Sequence, residues 1–156
     1  MEGKEKGDMK KVLVVGSLNM DMVLSVDHHP VPGETIIGDG ITYHPGGKGA
    51  NQAYAVGKLG GDVRIIGCVG WDNNGMILTE NLAQAGVDTT AINRMPEAPT
   101  GMAIIDVDKK GDNSIIVISG ANACLTPDLL RKQKASVEWS DFIMTQLETP
   151  IDTVLE

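Results

Sequence analysis

Short, continuous runs of aliphatic residues recur along the chain and end at glycine or at polar residues. Runs of this length without alternation are typical of strands in a parallel sheet that is covered on both faces. Three segments fit this pattern: Lys11–Gly16, Val63–Val69 and Asp141–Leu147. Apolar residues at helical spacing lie between them and predict helices over Gly49–Leu59, from Asp72 as N-cap to Gly86, and from the Thr126-Pro127 cap to about Ala135. The alternation of strands and helices predicts an α/β fold with a doubly wound, mostly parallel sheet.

A second pattern alternates loosely between apolar and polar residues, as strands with one solvated face do. Four segments show it: Met22–Val26, Glu34–Tyr43, Thr100–Val107 and Ser114–Ser119. We group them into a small separate sheet, drawn from about residues 22–43 and 100–119. A sheet of this kind over the carboxyl ends of parallel strands would act as a lid that excludes water.

Composition narrows the possible partners. Lys and Arg number 13 against 21 Asp and Glu, which gives a formal net charge of −8, and no basic block is present, so we expect no nucleic-acid partner. No apolar run approaches the roughly 20 residues of a membrane helix. We therefore expect a cytoplasmic protein without a membrane partner, with a disordered, charged leader over residues 1–10. Cys68 and Cys124 lack metal-ligand spacing and are interpreted as reduced packing residues.

The glycine-rich segment His44–Asn51, HPGGKGAN, joins a strand-like run to an Ala-rich helix. Its glycines let the backbone approach a ligand closely. A phosphate-binding loop requires G-x-x-x-x-G-K-[ST], but Gly49 follows Lys48 where a hydroxyl residue is needed, and no dinucleotide fingerprint is present either. Two interpretations remain. The segment either binds a small polar ligand through Lys48 and Asn51, with His44 near it, or forms a glycine turn with a solvated lysine.

Polar side chains also follow the first and the last predicted strands of the main sheet. Asn19 and Asp21 come shortly after Lys11–Gly16 and, as residues i and i+2 of an extended segment, share one face. Glu148 follows Asp141–Leu147. Because ligands of open α/β sheets bind outside the carboxyl ends of the strands, all three are candidate ligand contacts. The alternatives are a polar turn for the first two residues and a helix cap for Glu148.

The order of the segments GSLNMD, PGET, GGKGAN, a lid hairpin, GAN and QLE resembles the N-terminal half of the ribokinase family of carbohydrate and nucleoside kinases. The resemblance covers nearly the whole chain from Lys11 onward. It implies an α/β core with a β-sheet lid that also forms a dimer contact, and it implies that the C-terminal half of the fold is missing. By the same resemblance, the sugar-binding residues are Asn19, Asp21, Gly47, Lys48, Asn51 and Glu148. The implied lid contacts are Met102, Ala103 and Ile116.

The function that this resemblance implies is the ATP-dependent phosphorylation of D-ribose to D-ribose 5-phosphate, with ATP, Mg²⁺ and K⁺ as cofactors. The second family signature, D-T-x-G-A-G-D, which supplies the catalytic base, does not occur in this sequence, nor does the N-P-x-x-E segment associated with magnesium. We therefore expect no catalytic residue and no metal ligand in this chain, and no activity from it alone. Two alternatives stay open: a sister sugar or nucleoside kinase such as a fructokinase, and a non-catalytic fragment that binds sugar or dimerises.

Overall fold

The computed structural model describes residues 9–156 of the chain. Within them the strands are β1 Lys11–Val15, β2 Asn19–Ser25, β3 Gly40–Gly46, β4 Asp62–Gly70, β5 Ile92–Met95, β6 Gly101–Val107, β7 Asn113–Ile118 and β8 Phe142–Thr145. The helices are α1 Lys48–Lys58, α2 Asn73–Gln84, α3 Pro127–Lys132, α4 Lys134–Trp139 and α5 Ile151–Leu155, with a 3₁₀ helix over Gly120–Cys124. The predicted disordered leader lies outside the described residues, apart from Met9 and Lys10.

The main sheet is parallel throughout and has the strand order β5-β4-β1-β8. Strand β1 lies in its interior and pairs with β4 from Lys11↔Asp62 onward and with β8 from Val12↔Phe142 onward. The α/β class with a parallel sheet is thus confirmed. Strand β5 was not predicted, because its sequence, INRM, contains no apolar run.

Helices cover both faces of the main sheet. Alternate residues of β1 point to opposite faces, as the period of two requires. One face packs against α1 and α2 in a core that includes Val14, Ile65, Ala53, Leu78 and Leu82. The other face packs against the 3₁₀ helix, α3 and α4 in a core that includes Leu13, Ile66, Ala121, Leu125 and Leu129. This two-sided burial is the reason why β1 and β4 are continuously apolar, and it makes the sheet doubly wound. The expectation of a strand covered on both faces is wrong for β8, which lies at the edge of the sheet and has Phe142 and Ile143 about half exposed.

The second sheet has the order β3-β2-β6-β7 and is mixed, because β2 pairs with β6 in parallel whereas β2–β3 and β6–β7 are antiparallel. The four alternating segments therefore do form a separate sheet. One predicted strand, Glu34–Tyr43, begins only at Gly40. The preceding segment contains Pro30, Pro32 and Gly33, which lead the chain through a turn before pairing begins.

Both predicted N-cap residues cap their helices, but one of the predicted helices is divided in two. The Asp72 carboxylate accepts a hydrogen bond from the N–H of Gly75 at 2.8 Å and caps α2. Thr126 likewise caps α3, but the helix predicted to Ala135 is broken at Gln133, whose φ and ψ of −97° and 19° separate α3 from α4. No helix within residues 9–156 has both the length and the apolar character needed to cross a membrane.

Candidate functional site

A cleft of about 340 Å³ lies between the carboxyl ends of β1 and β8, the start of α1 and one face of the second sheet. This volume is at the lower end of the range that is usual for small-molecule sites. The lining residues are Asn19, Asp21, Gly47, Lys48, Asn51, Ala103, Ile105, Ile115, Val117 and Glu148. The structure thus brings together all six residues predicted as polar or glycine contacts.

Strand β2 supplies the two polar residues at the floor of the cleft. Asn19 and Asp21 pair with Gly46 and His44 of β3, so they are strand residues and not a polar turn. Asn19 is buried and Asp21 is half-buried. Burial, together with the negative charge of Glu148, raises the pKa of Asp21 above its ordinary value, although His44 acts in the opposite direction. The ionised form of Asp21 is therefore disfavoured in the fold, while Lys48, which lines the same cleft, forms its ion pair with Glu148.

The start of α1 depends on a glycine. Gly47 has a φ of +90°, and a Cβ at this position would lie 2.7 Å from the backbone nitrogen of Asn19 and 2.9 Å from the carbonyl oxygen of Ser17. No other residue fits both the backbone conformation and the space. The turn thereby places Lys48 and Asn51 beside β2 and the chain that follows β1.

The first N–H groups of α1 are occupied by protein acceptors. The Lys48 N–H donates to Glu148 Oε2 at 3.1 Å, and the Gly49 N–H donates to Ser17 Oγ at 3.3 Å. The next N–H, of Ala50, donates to the carbonyl oxygen of Ser17 at 2.9 Å. An anion would have to displace these partners, so the loop does not form a phosphate cradle, in agreement with its sequence spacing.

Glu148 connects the ends of three elements. Its carboxylate accepts a hydrogen bond from Ser17 Oγ at 2.7 Å, caps α1 through the Lys48 N–H, and forms an ion pair with Lys48 Nζ. Burial would raise the pKa of Glu148, but the hydrogen bonds from Lys48 and Ser17 outweigh it and hold the pKa below its ordinary value. The alternative interpretation of Glu148 as the cap of the last helix is wrong, since Pro150 is the N-cap of α5.

The cover of the cleft differs from the prediction. Ala103 lines the cleft, but Met102 and Ile116 do not. Successive strand residues point to opposite faces, and the register pairs Ala103 with Val117 and Ile105 with Ile115. The expectation for Met102 and Ile116 is therefore corrected: Ile105, Ile115 and Val117 contribute the remaining apolar lining. His44 is also absent from this lining and instead contacts Thr42 Oγ1 at 3.0 Å.

Two buried polar residues support the cleft and were not predicted as site residues. Ser17 holds Glu148, as described above. Asn122, in the 3₁₀ helix, hydrogen-bonds the backbone of Leu18 and the side chain of Asn19. The segment GAN could have indicated a role for Asn122, because an amide between small residues is unusual at a core position. It did not indicate that Asn122 contacts Leu18 and Asn19.

Residues 9–151 match the model of the pfkB family carbohydrate kinases. The chain belongs to this family. A ribokinase of Haemophilus influenzae is 45% identical over 147 residues, which cover 94% of this chain and 48% of that protein. The chain spans about half the length of the curated relatives that it matches.

Solved structures show the same relationship. The crystal structure of a ribokinase from Thermotoga maritima has 42% sequence identity and a TM-score of 0.86, over 94% of this chain and 48% of that chain. A structure of Arabidopsis thaliana ribokinase complexed with ribose and ATP has 30% identity and a TM-score of 0.83, over 95% of this chain and 50% of that chain. The ribokinase-like fold predicted from the motif order is confirmed.

Proposed function

We propose that the cleft binds D-ribose and that this chain supplies the sugar-binding part of a kinase that phosphorylates D-ribose to D-ribose 5-phosphate with ATP. The observation that carries the proposal is the convergence of two carboxylates, two amides and a lysine in one cleft beneath an apolar cover. The residues are Asn19, Asp21, Lys48, Asn51 and Glu148. The similarity of the chain to ribokinases, one of which was solved in complex with ribose, supports the choice of sugar.

The chemistry of the cleft suits a pentose. Each sugar hydroxyl both donates and accepts a hydrogen bond, so it pairs with carboxylate and amide groups as a set. The apolar side chains of Ile105 and Val117 lie over these groups. Phosphoryl transfer depends mainly on positioning and electrostatics, and exclusion of water limits wasteful hydrolysis. In this proposal, Asp21 and the two amides hold and orient the sugar for transfer to its 5-hydroxyl.

Within residues 9–156, we find no set of side chains that fits the cofactors of the reaction. Between residues 9 and 156 there is no group of three or more His, Cys, Asp or Glu side chains that could hold a metal ion. The α1 N-terminus is occupied by Glu148 and Ser17, and the sequence has no phosphate-binding loop. We therefore assign no site for ATP, Mg²⁺ or K⁺ and no transfer step to these residues. We expect no ribose 5-phosphate from the purified chain with ATP, and its formation would contradict this part of the proposal.

Calorimetric titration of the 156-residue chain with D-ribose tests the binding. We expect saturable heat from the wild type and its loss in Asp21→Ala, because a hydroxyl would lose its carboxylate acceptor. Asp62→Ala is the matched control, since Asp62 is an exposed aspartate at the opposite, amino end of β4. Equal binding by Asp21→Ala and the wild type would contradict the assignment of the cleft. Absence of binding by a wild-type chain shown to be folded by circular dichroism would contradict ribose binding by this part alone.

The same titration with other sugars tests the sister-kinase alternative. We expect 2-deoxyribose, fructose and adenosine to bind at least about ten-fold more weakly than D-ribose, because each leaves a polar group of the cleft unpaired or adds bulk under the cover. If one of these compounds bound more tightly than D-ribose, the result would contradict the proposal of ribose and favour a kinase for that compound.

We also propose that a second copy of the chain covers the outer face of the second sheet. This face presents four large apolar residues that are about half exposed: Ile41, Tyr43, Ile116 and Ile118. Contiguous apolar surface of this kind marks an interaction site. We expect Ile116→Lys to shift sedimentation from dimer to monomer. Ile37→Lys, in the loop before β3 and 91% exposed, should have no effect. A monomeric wild type would contradict the proposed homodimer.

A further inference from the structure

Asn122 lies beneath the cleft and forms a dense set of hydrogen bonds. It is 2% exposed. Its Oδ1 accepts from the backbone N–H of Leu18 at 2.9 Å, and its Nδ2 donates to the carbonyl oxygen of Leu18 at 3.1 Å and to Asn19 Oδ1 at 2.8 Å. These residues are more than 100 positions apart in the sequence. The 3₁₀ helix and β2 are thus joined by one amide.

We infer that Asn122 is a positioning residue that fixes the side-chain amide of Asn19 with its nitrogen toward the cleft. The two bonds to Leu18 determine which end of the Asn122 amide is oxygen, because a backbone N–H only donates and a carbonyl only accepts. The remaining Nδ2 hydrogen of Asn122 then requires an acceptor. Asn19 must therefore present its Oδ1 to Asn122, which leaves its Nδ2 as the free end.

The cleft side of Asn19 is open. Among residues 9–156, no protein acceptor takes a hydrogen bond from Asn19 Nδ2, while Asn19 lines the cleft. Space for the amide pair comes from Gly101, where a Cβ would overlap both Asn122 Nδ2 and Asn19 Oδ1. The fold therefore keeps a small residue next to this pair, and the orientation of Asn19 is set before any ligand binds.

Because the Asn19 amide has a fixed orientation, the cleft presents a hydrogen-bond donor and an acceptor at defined positions. The consequence for ligand choice rests on the proposed sugar binding. Asn19 offers a donor, and Asp21, two residues along the same strand face, offers an acceptor when it is ionised. A ligand must then bring an acceptor to Asn19 and a donor to Asp21. Adjacent hydroxyls satisfy both, whereas an ammonium group at Asn19 does not. Asn122 thus determines specificity without touching the sugar.

The first measurement needs neither a variant nor a sugar. In ¹⁵N–¹H spectra of the 156-residue chain, we expect the side-chain amide protons of Asn122 to exchange with solvent at least about ten-fold more slowly than those of Asn113, which lies on exposed β7. We expect the Asn19 amide protons to exchange faster than those of Asn122. Equal exchange for Asn122 and Asn113 would overturn the inference.

The second measurement is a double-mutant cycle on D-ribose affinity with Asn122→Asp and Asn19→Ala. Asn122→Asp keeps size and the acceptor for the Leu18 N–H but removes the donor to the Leu18 carbonyl oxygen and to Asn19. We expect about ten-fold weaker binding from Asn122→Asp in the wild-type background and no further loss in the Asn19→Ala background. Should Asn122→Asp fail to fold, Asn19→Asp replaces it: this variant still accepts from Asn122 but presents an acceptor to the cleft, so we expect a folded chain of somewhat lower thermal stability, because the new carboxylate is buried near Asp21, and at least about ten-fold weaker binding.

The outcomes separate the inference from the proposed function. Equal loss from Asn122→Asp in both backgrounds would show a general structural role and overturn the inference. Unchanged ribose affinity in Asn19→Asp would overturn it as well. A folded wild-type chain that does not bind ribose would contradict the proposed function, and the exchange rates of the two amides would still decide the orientation of Asn19.

Discussion

The two sheets are built from the same kinds of residue but differ in how those residues are covered. In the main sheet, Leu13, Val14 and Ile66 are fully buried between layers of helices. In the second sheet, every residue of β7 is exposed, and Ile116 is 62% exposed. An apolar, β-branched sequence therefore favours a strand in both cases, but it stabilises the chain only where another layer covers it.

The candidate site lies where these two environments meet. Strand β2 begins in the core, with Met20 3% exposed, and continues into the open second sheet. Asn19 is consequently held by buried partners, whereas Ile115 and Val117 line the cleft from the exposed strand β7. A rigid polar floor with a lightly held apolar cover is suited to binding and releasing a small ligand.

The largest expected effect separates the sheets directly. Ile66→Ala should lower the free energy of unfolding by about 2–5 kcal/mol, because it opens a cavity under a closed layer. The matched change Ile116→Ala should cost less than about 0.5 kcal/mol in the monomer. Urea unfolding monitored by circular dichroism measures both. A large effect of Ile116→Ala that depends on protein concentration would instead show that a second copy covers this face in solution.

A second pair of variants tests the turn at Gly47, where α1 begins next to the backbone of Ser17 and Asn19. Gly47→Ala should destabilise the chain by about 3 kcal/mol, because a positive φ and overlap with the backbone of Ser17 and Asn19 act together. Gly60→Ala is the control: it has a φ of +80° but open space around the added Cβ, so we expect about 1 kcal/mol. Thermal and urea unfolding provide the values. If both substitutions lowered the free energy of unfolding by the same amount, the backbone around Gly47 would be able to relax, and this part of the cleft would not be rigid.

The sequence predicts the parts of this molecule that depend on local pattern. Continuous apolar runs predict the strands, and Asp72 predicts its helix, because both signals act within a few residues. The convergence of Asn19, Asp21 and Glu148 also follows, since the carboxyl ends of parallel strands meet at one edge. The role of Asn122 does not follow, because it depends on a contact with Leu18 across 104 positions. The inward face of β7 is equally undetermined: Ser114–Ser119 is grouped with the loosely alternating segments, but Ile115–Ile118 is apolar at every position, so the sequence does not indicate which residues face the cleft.

Glu148→Gln tests how the polar floor is held. We expect a loss of about 1–2 kcal/mol at pH 7, because the single amide oxygen of Gln can keep the hydrogen bonds from Ser17 Oγ and the Lys48 N–H only by turning its amide nitrogen toward Lys48 Nζ, and both bonds then lose a charged acceptor. Lys48 is largely exposed, so the ion pair contributes only a small part. Glu138→Gln, in an exposed pair with Lys134, should change stability by less than about 0.5 kcal/mol.

The pH dependence of Glu148 has a definite sign. Because folding lowers the pKa of Glu148 below its ordinary value of 4.5, its contribution is present above that pH and is lost as the pH falls through the folded-state pKa. The stability difference between wild type and Glu148→Gln should therefore shrink below pH 4.5. A difference that stays constant down to pH 3 would show that charge plays no part in holding the floor.

The smallest expected effect has the opposite direction and concerns Asp21, the carboxylate on the open part of β2. Folding raises its pKa through burial and the proximity of Glu148, so the ionised form is disfavoured in the folded state. Asp21→Asn should then stabilise the chain by about 0.5–1 kcal/mol at pH 7 while weakening ribose binding by at least about ten-fold. This penalty is full above the folded-state pKa and disappears below the ordinary value of 3.8, so the stability gain should vanish at low pH. Asp62→Asn, at the far end of β4, should change neither property. If Asp21→Asn proved less stable than wild type at pH 7, the Asp21 carboxylate would stabilise the fold, as Glu148 does. Asp21 would then be a structural residue, and the difference between a main sheet that is stable by its own packing and a second sheet whose polar groups bind a ligand would not hold at this position.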